Sequence, residues 1–240
     1  MNIKNKTYKS IVSGIGASLP QEVVTNKDLS MRMDTSEEWI EERTGIKERR
    51  IASKDETTSS LGTDAAQIAI DNSGLKNSDI DLIILATATP DNTFPASATL
   101  IQSSLGIERG YAYDMQAVCS GFVFAVEAAD NAIKAGNIKN ALVIGSETFS
   151  RILDWDDRAT CVLFGDGAGA MVLSASSEDT NRGVLSNHLH SDGRYKDLLY
   201  VDGGPSTTNN VGYLRMDGKG VFKHAVQNLS SAIIEAIEYN

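Results

Sequence analysis

Cysteine and positive charge are both scarce in this sequence. Only two of its 240 residues are cysteines, Cys119 and Cys161, and no CxxC pair is present. Neither a disulfide framework nor a thiolate metal site is therefore indicated. The 22 basic residues are outnumbered by 32 acidic ones, for a net charge of −10, so the chain has no basic field to attract nucleic acid or anionic lipid. We expect no metal centre and no nucleic-acid partner.

Long apolar runs are also missing. No window approaches the roughly 18 apolar residues of a membrane span, and the N-terminal stretch MNIKNKTYKSIVSG lacks the apolar segment of a secretory signal. With 41% hydrophobic and 22% charged residues, the composition is that of an ordinary globular protein with a substantial core. The sequence predicts a cytoplasmic protein with no membrane partner.

What the sequence does contain is an alternation of apolar, β-branched runs with amphipathic segments. This alternation predicts an α/β fold built on a largely parallel sheet. Gly74 and Gly136 stand where two helices should end, since glycine is favoured just after a helix. The predicted strands lie in SIVSGIGASLP, DIDLIILATATP, GYAYDMQAV and NALVIGSETFS, and the predicted helices lie near residues 60–73, 96–105 and 119–135.

The pattern changes from Thr160 onward. The stretch TCVLFGDGAGAMVLS places glycines between two apolar runs, which predicts paired strands joined by a tight turn. A phosphate loop is disfavoured, because it would need a helix after the glycines. A polar connector, SASSEDTNRG, precedes a predicted strand in GVLSNHLHSDG and a helix from about Gly220. We divide the chain here into residues 1–174 and residues 175–240, the second of which lacks most of a sheet.

Cys119 follows a short apolar run and precedes a predicted helix, in DMQAVCSGF. Two interpretations are open. A free cysteine is often a small buried apolar side chain, whereas at a helix N-terminus the unpaired N–H groups favour the thiolate form of a nucleophile. Gly121 supports the second, since it removes bulk where an acyl group would approach. Cys161 lies in an apolar strand pattern and is interpreted as inert core.

Several motifs stand in order along the chain: GIGASLP, DTSEEWIEERTGIKERR, FPASA, AVCSGF, DRATCVLFGDGAGA and LHSDGRYKDLL. Together they make it resemble the condensing enzymes of the thiolase fold, specifically the β-ketoacyl-acyl carrier protein synthase III family. The resemblance covers essentially the whole chain. It implies an α/β, thiolase-like layered αβαβα fold, with the N-terminal half complete and the C-terminal half partial. It also implies that Cys119 is the acyl-accepting nucleophile.

A second group of candidate residues lies in the motif DTSEEWIEERTG. Thr35 opens the S/T-x-x-E spacing of a capping box, so a helix is predicted to begin at Thr35 or Ser36 and to end before Gly45. Trp39 and Arg43 then lie one turn apart on one face. From the residues alone, a surface cation–π pair is the simpler interpretation.

The resemblance gives these side chains a substrate. It implies that Trp39 and Arg43 hold the adenine end of coenzyme A, with Arg158 on the other side and Thr35 as a further contact. The residue types suit that role, because an indole offers a flat surface to a purine and a guanidinium can stack or contact phosphate.

Other candidates have weaker support. Phe94, in FPASA, resembles a residue that bounds the acyl pocket of the partner subunit in a homodimer, and its alternative interpretation is a core aromatic. Lys223 matches a basic position that docks the acidic acyl carrier protein, although a lone lysine on a helix is usually only solvated. His188 and His190 are too few ligands for a metal site, and His224 is assigned no role.

The resemblance implies a reaction in two halves, with acyl-CoA as substrate, acetyl-CoA as the expected primer, and no cofactor. Cys119 takes the acyl group, and malonyl-acyl carrier protein then loses carbon dioxide and attacks it, which initiates fatty acid biosynthesis. The family's His and Asn that assist the second half would lie beyond Asn240, so we expect a C-terminally truncated chain. Two alternatives stay open: a catalytically incomplete or self-acylating fragment, and a related acyltransferase or ketosynthase of secondary metabolism.

Overall fold

The computed structural model describes residues 8–177 and 181–240. The start of the chain and positions 178–180 of the predicted connector lie outside these ranges. The chain divides into two compact units, each built from three separate segments. Unit 1 comprises Met1–Pro20, Ser53–Glu147 and Gly167–Asn187, and unit 2 comprises Gln21–Ala52, Thr148–Asp166 and His188–Asn240.

Strands and α-helices are numbered separately in chain order. They are β1 (Lys9–Ser18), β2 (Glu22–Thr25), α1 (Asn26–Ser30), α2 (Glu37–Thr44), β3 (Glu48–Ile51), α3 (Thr58–Ser73), β4 (Leu82–Ala86), α4 (Ser97–Ser104), β5 (Tyr111–Met115), α5 (Gly121–Lys134), β6 (Asn140–Glu147), β7 (Gly167–Ser176), β8 (Leu199–Val201), β9 (Leu214–Met216) and α6 (Gly218–Tyr239). Short 3-10 helices lie at Asn77–Asp79, Val118–Ser120, Phe149–Ile152 and Gly193–Tyr195.

Unit 1 contains a five-stranded sheet in the order β1-β7-β6-β4-β5. The strands β6, β4 and β5 pair in parallel, whereas β7 is antiparallel to both of its neighbours, β1 and β6. All strands except β7 therefore run in one direction, which confirms the prediction of a largely parallel sheet. The helices α3, α4 and α5 form close to their predicted bounds.

Helices cover both faces of this sheet. Successive residues of a strand point to opposite faces, and β6 shows the consequence directly. Ile144 and Ser146 lie next to Gly62 of α3, whereas Gly145 lies next to Phe122 of α5. Unit 1 is thus a helix–sheet–helix sandwich, which is the layering expected of an α/β fold.

Close approach of α3 to β1 depends on two glycines. A Cβ atom added at Gly14 would lie 2.1 Å from the carbonyl oxygen of Ala69, and one added at Gly16 would lie 2.2 Å from that of Ala65. Such distances are not possible for real side chains, so only glycine lets the helix backbone rest on the strand at this spacing.

The core of unit 1 centres on β4. Its residues Leu82–Ala86 are all buried, which explains why this strand is a continuous apolar run rather than an alternating one. The helix α5 contributes Ala125, Ala129 and Ile133 to the same core, and these are spaced at helical intervals. Packing of this kind anchors α5, the helix that begins two residues after Cys119.

The strands of unit 2 are shorter than those of unit 1. β2 and β3 form one antiparallel pair and β8 and β9 another. None of the helices in the described residues is long and apolar enough to cross a bilayer. The core of the unit is formed by Val24, Leu29, Ile40, Phe149, Ile152, Leu153, Cys161, Val162 and Leu214.

The predicted hairpin at the glycine-rich stretch is wrong. Residues 160–163 form turns in which the N–H groups of Thr160 and Cys161 donate to the carbonyl of Asp157, and this apolar run enters the core of unit 2 instead of a sheet. Gly167 and Gly169 belong to β7, where Gly169 pairs with Ala17 of β1 and Gly145 of β6. These glycines therefore lie within a strand and not in a turn.

The predicted strand in GVLSNHLHSDG is also wrong, since no ladder forms between residues 183 and 192. The N–H of Val184 donates to the carbonyl of Ser10, which ties this segment to β1. The predicted final helix is present as α6, capped by the side chain of Asp217. The predicted division at residues 174 and 175 stays a prediction.

Candidate active site

Cys119 stands in a short 3-10 turn between the end of β5 at Met115 and the start of α5 at Gly121. Its side chain is exposed. The interpretation of Cys119 as a small buried apolar side chain is therefore wrong, and the alternative, an accessible thiol beside a helix N-terminus, fits the geometry. Free N–H groups at the first turn of a helix favour negative charge in their neighbourhood.

The residue before this cysteine has an unusual backbone. Val118 has a φ of 48°, in the left-handed region that β-branched residues rarely enter. A conformation of this kind costs on the order of 1–3 kcal/mol and persists only where the surrounding structure imposes it. Strained residues of this kind cluster at functional sites, which makes the turn a candidate site on geometry alone.

The structure shows a packing role for Gly121, which differs from the role predicted. A Cβ atom added at Gly121 would lie 3.2 Å from Cβ of Ala86, the last residue of β4. The glycine therefore lets the first turn of α5 pack closely on the end of β4. The predicted role, room for an acyl group, stays a prediction.

Asp114, one residue before the end of β5, was missed by the sequence analysis. Its carboxylate accepts the N–H groups of Ser97 at 2.8 Å and Ala98 at 2.7 Å. The N-cap residue of α4, Ala96, has no side chain that can do this, so Asp114 supplies the missing cap from another strand. It thereby ties α4 to the strand that leads into the Cys119 turn.

Glu147, the last residue of β6, is the second carboxylate that sequence reasoning missed. It accepts hydrogen bonds from the N–H of Ala88 at 2.7 Å, from the hydroxyl of Thr87 at 3.3 Å, and from the hydroxyl of Thr89. Burial raises the pKa of Glu147, and the hydrogen bonds from Thr89 and Ala88 oppose that rise. No local pattern signals this group, because its partners lie far away in sequence.

The Trp39 cluster forms in unit 2. The helix α2 is capped by Ser36, whose hydroxyl accepts the N–H of Trp39 at 3.1 Å, so the start at Ser36 is the correct one of the two predicted. The guanidinium carbon of Arg43 lies 4.6 Å from the centre of the Trp39 ring, and that of Arg158 lies 5.3 Å from it. The structure thus brings together three of the four residues predicted to bind coenzyme A.

Thr35, the fourth, adjoins the same cluster in sequence. Its hydroxyl oxygen is buried and has no hydrogen-bond partner among residues 8–177 and 181–240. The guanidinium of Arg158 donates to the backbone carbonyl of Asp34, the preceding residue. An unpaired buried hydroxyl can form a hydrogen bond with a ligand oxygen or nitrogen that reaches it.

Cys161 contrasts with Cys119. It is fully buried, and its sulfur lies 3.6 Å from that of Met33. Burial raises the pKa of the Cys161 thiol to about 11. Its predicted place in the core is confirmed, although it lies in a turn rather than in a strand.

Comparison with known proteins decides the family. Residues 113–193 match the family model for 3-oxoacyl-[acyl-carrier-protein (ACP)] synthase III. A curated relative from Rhodospirillum centenum, named beta-ketoacyl-[acyl-carrier-protein] synthase III, is 61% identical over 97% of this chain and 72% of its own length. The chain belongs to the β-ketoacyl-acyl carrier protein synthase III family. The resemblance drawn from the motifs is confirmed.

Solved structures of this family share its fold. The 3-oxoacyl-(acyl carrier protein) synthase III of Pseudomonas aeruginosa PAO1 superposes with a TM-score of 0.89 at 37% identity, over 96% of this chain and 70% of that one. The synthase III of Aquifex aeolicus VF5 gives a TM-score of 0.83 at 47% identity, over 89% of this chain and 66% of that one. The predicted thiolase-like fold class is confirmed.

The remaining candidate residues of this chain differ in their surroundings. Phe94 is 83% exposed, so its interpretation as a core aromatic is wrong. Lys223 is exposed on α6, and its docking role stays a prediction. His188 and His190 both contact the carboxylate of Glu235, at 3.2 Å and 2.6 Å. Within the described residues, no group of three side chains suited to a metal ion is found.

Proposed function

We propose that this chain carries out synthase III chemistry, in which an acyl-CoA primer condenses with malonyl-acyl carrier protein through an acyl group on Cys119. The observation that carries the proposal is the exposed Cys119 in a strained turn at the start of α5. A thiol has to be accessible, and fixed in direction, to attack a bound thioester. Acetyl-CoA is the proposed primer, in the pathway that initiates fatty acid biosynthesis.

The first half of the reaction is acyl transfer. The Cys119 sulfur attacks the thioester carbonyl carbon of acyl-CoA, a new carbon–sulfur bond forms, and the bond to coenzyme A breaks. Coenzyme A leaves as a thiolate that takes up a proton. The backbone N–H groups at the start of α5 favour negative charge on the attacking sulfur, and this lowers the barrier.

Binding of coenzyme A is assigned to the Trp39 cluster. The indole of Trp39 offers a face for adenine, and the guanidiniums of Arg43 and Arg158 can stack on the base or pair with phosphate. Both guanidiniums already lie within stacking distance of the ring. The unpaired hydroxyl of Thr35 supplies one further hydrogen bond.

The second half is carried over from the family resemblance. The acyl carrier protein is the proposed second partner, with Lys223 as a docking residue, and Phe94 is proposed to bound the acyl pocket across a homodimer. Exposure of both side chains is compatible with these roles. We propose a cytoplasmic enzyme that uses no cofactor apart from its acyl-CoA substrate.

The test separates the two halves. The chain is incubated with labelled acetyl-CoA alone and then with malonyl-acyl carrier protein, alongside the C119A variant. Label on Cys119 that is lost in C119A supports the acyl transfer, and labelled β-ketoacyl-carrier protein supports the condensation. An unlabelled chain contradicts the proposal.

Two other outcomes would redirect the proposal. Label that stays on Cys119 without product identifies a self-acylating protein, and transfer to a different acceptor identifies a related acyltransferase. Mass spectrometry of the intact chain and of its peptides distinguishes them.

A further inference from the structure

Glu147 is a half-buried carboxylate that the proposed chemistry does not use. The hydrogen bonds donated to it within the described residues come from the consecutive residues Thr87, Ala88 and Thr89. In the part of the chain that the structure describes, no lysine, arginine or histidine pairs with it. Withdrawing a carboxylate from water without a cation beside it is costly, and groups in such surroundings concentrate at functional sites.

The position of Glu147 in the sheet explains what it holds. The ladder between β4 and β6 ends with Ala86 opposite Gly145. Glu147 lies two residues further along β6, so its side chain continues the contact after the backbone ladder has stopped. It fixes the loop Thr87–Thr89, whose backbone lies beyond the end of the ladder and no longer pairs with β6.

The same loop meets the Cys119 turn on its other side. The N–H of Thr87 donates to the carbonyl of Met115 at 3.2 Å, and Gly121 packs against Ala86. Met115 and Gly121 are the two ends of the segment that contains Cys119. Both ends therefore rest on residues that adjoin the carboxylate-fixed loop.

We propose that Glu147 is a positioning residue for Cys119. Its carboxylate immobilises the loop Thr87–Thr89. This loop holds Met115 through Thr87, and the adjoining Ala86 supports Gly121, so both ends of the segment in which Val118 keeps its left-handed φ are fixed. The inference rests on the proposed function, since it concerns the same acyl-accepting thiol. Glu147 itself does not contact the substrate in this proposal.

The variant E147Q tests it. Glutamine keeps the shape of the side chain but replaces the carboxylate with an amide. The NH2 group of the amide cannot accept a hydrogen bond, so the loop loses part of what fixes it. Single-turnover labelling of the full chain is measured over a range of acetyl-CoA concentrations. The maximal labelling rate should fall about ten- to a hundredfold, the effect of a reactant displaced by roughly 1 Å. The half-saturating concentration should stay unchanged, because E147Q alters none of the proposed coenzyme A ligands.

The matched control is D81N. The carboxylate of Asp81 accepts the N–H groups of Lys139 at 2.8 Å and Asn140 at 3.1 Å, and so joins β4 to β6 at the opposite end of the same two strands. D81N should lower the melting temperature and leave the labelling rate at the wild-type value. Equal slowing in D81N and E147Q would tie the rate to general stability and overturn the proposal.

Variants of Thr89 give an independent readout. T89S keeps the hydroxyl donor and should label at the wild-type rate, whereas T89V should be slow, and E147Q/T89V should be no slower than E147Q. If E147Q does not fold, T89V against T89S decides, and equal rates overturn the inference. A wild-type chain that takes no label defeats the proposed function as well, whereas E147Q labelled at the wild-type rate defeats this inference alone.

Discussion

The two cysteines of this chain occupy similar turns in opposite surroundings. Cys119, in unit 1, is exposed at the start of a long helix and follows a residue with a φ of 48°. Cys161, in unit 2, is fully buried against Met33, and burial raises the pKa of its thiol to about 11. Residue type is the same in both turns, so reactivity is decided by exposure and by the backbone around the sulfur.

Both turns are also closed by local backbone hydrogen bonds. The backbone at Cys161 is tied locally, because its N–H and that of Thr160 both bond to the carbonyl of Asp157. The turn at Cys119 is closed by bonds from the N–H of Ser120 to the carbonyl of Ala117 and from the N–H of Gly121 to the carbonyl of Val118. What distinguishes it is the left-handed φ of Val118, since a strained residue persists only where the surrounding structure imposes it.

Alkylation should give the largest difference between the two thiols. At mildly alkaline pH, iodoacetamide should modify Cys119 at least about a hundredfold faster than Cys161, since a buried thiol reacts only after local opening. Peptide mapping by mass spectrometry measures both rates in one sample. C161A is the control, because it should leave the rate at Cys119 unchanged. Comparable rates at the two sites would mean that their surroundings do not decide their reactivity.

The exposure of Cys119 was within reach of sequence reasoning, whereas the strain beside it was not. A cysteine placed between an apolar run and a helix pattern predicts a turn at a helix N-terminus, and the structure has one. The φ of Val118 arises from how β4, β5 and α5 meet, which local sequence does not encode. The alternation of apolar runs and amphipathic segments likewise predicted the strands and helices of unit 1. Local sequence is enough there, because the strands are short apolar runs and the helices have hydrophobic residues at helical spacing.

Alkaline pH should lower the stability of the fold through ionisation of Cys161. Its pKa rises from 9.0 to about 11 on folding, so the unfolded chain loses this proton first and stability falls as the pH climbs through that window. The expected loss is on the order of 2–3 kcal/mol in the free energy of unfolding. Urea denaturation at a series of pH values measures it.

Alanine variants of the two cysteines assign this loss. C161A should reduce the alkaline decline and C119A should retain it in full, once the pH-independent cost of each substitution is subtracted. Burial also raises the pKa of Tyr113, so part of the decline should remain in C161A. A decline of unchanged size in C161A would show that Cys161 does not contribute to it.

Trp39 separates binding from chemistry. W39A should raise the half-saturating concentration of acetyl-CoA about tenfold, or about 1.4 kcal/mol, because the purine loses its stacking surface. The maximal labelling rate at Cys119 should not change. Trp155 packs against the same core of unit 2 as Trp39, so W155A controls for lost packing. A fall in maximal rate with unchanged half-saturation would remove Trp39 from the binding role.

Where sequence reasoning failed, long-range contacts replaced local pattern. The apolar run around Cys161 suggested a strand, but Asp157 closes it into turns and its side chains fill the core of unit 2. No local pattern indicated Glu147 either, because its hydrogen-bond donors lie 58 to 60 positions earlier in the chain. The Trp39 cluster was predicted better, because Trp39 and Arg43 are one helical turn apart and need only α2 to meet.

The smallest expected effect concerns the residue before each cysteine. V118G should raise the free energy of unfolding by about 0.5 kcal/mol, since glycine adopts a φ of 48° without strain and Val118 is already 49% exposed. Thr160 is the counterpart before Cys161, fully buried and with its hydroxyl 2.9 Å from the carboxylate of Asp157. T160G should therefore destabilise by about 1–3 kcal/mol. Chemical denaturation of both variants gives the signs, and stabilisation of neither or of both would mean that strain does not distinguish the two turns. If V118G is more stable and yet labels more slowly at Cys119, the left-handed valine is maintained for the direction of the thiol rather than for the fold.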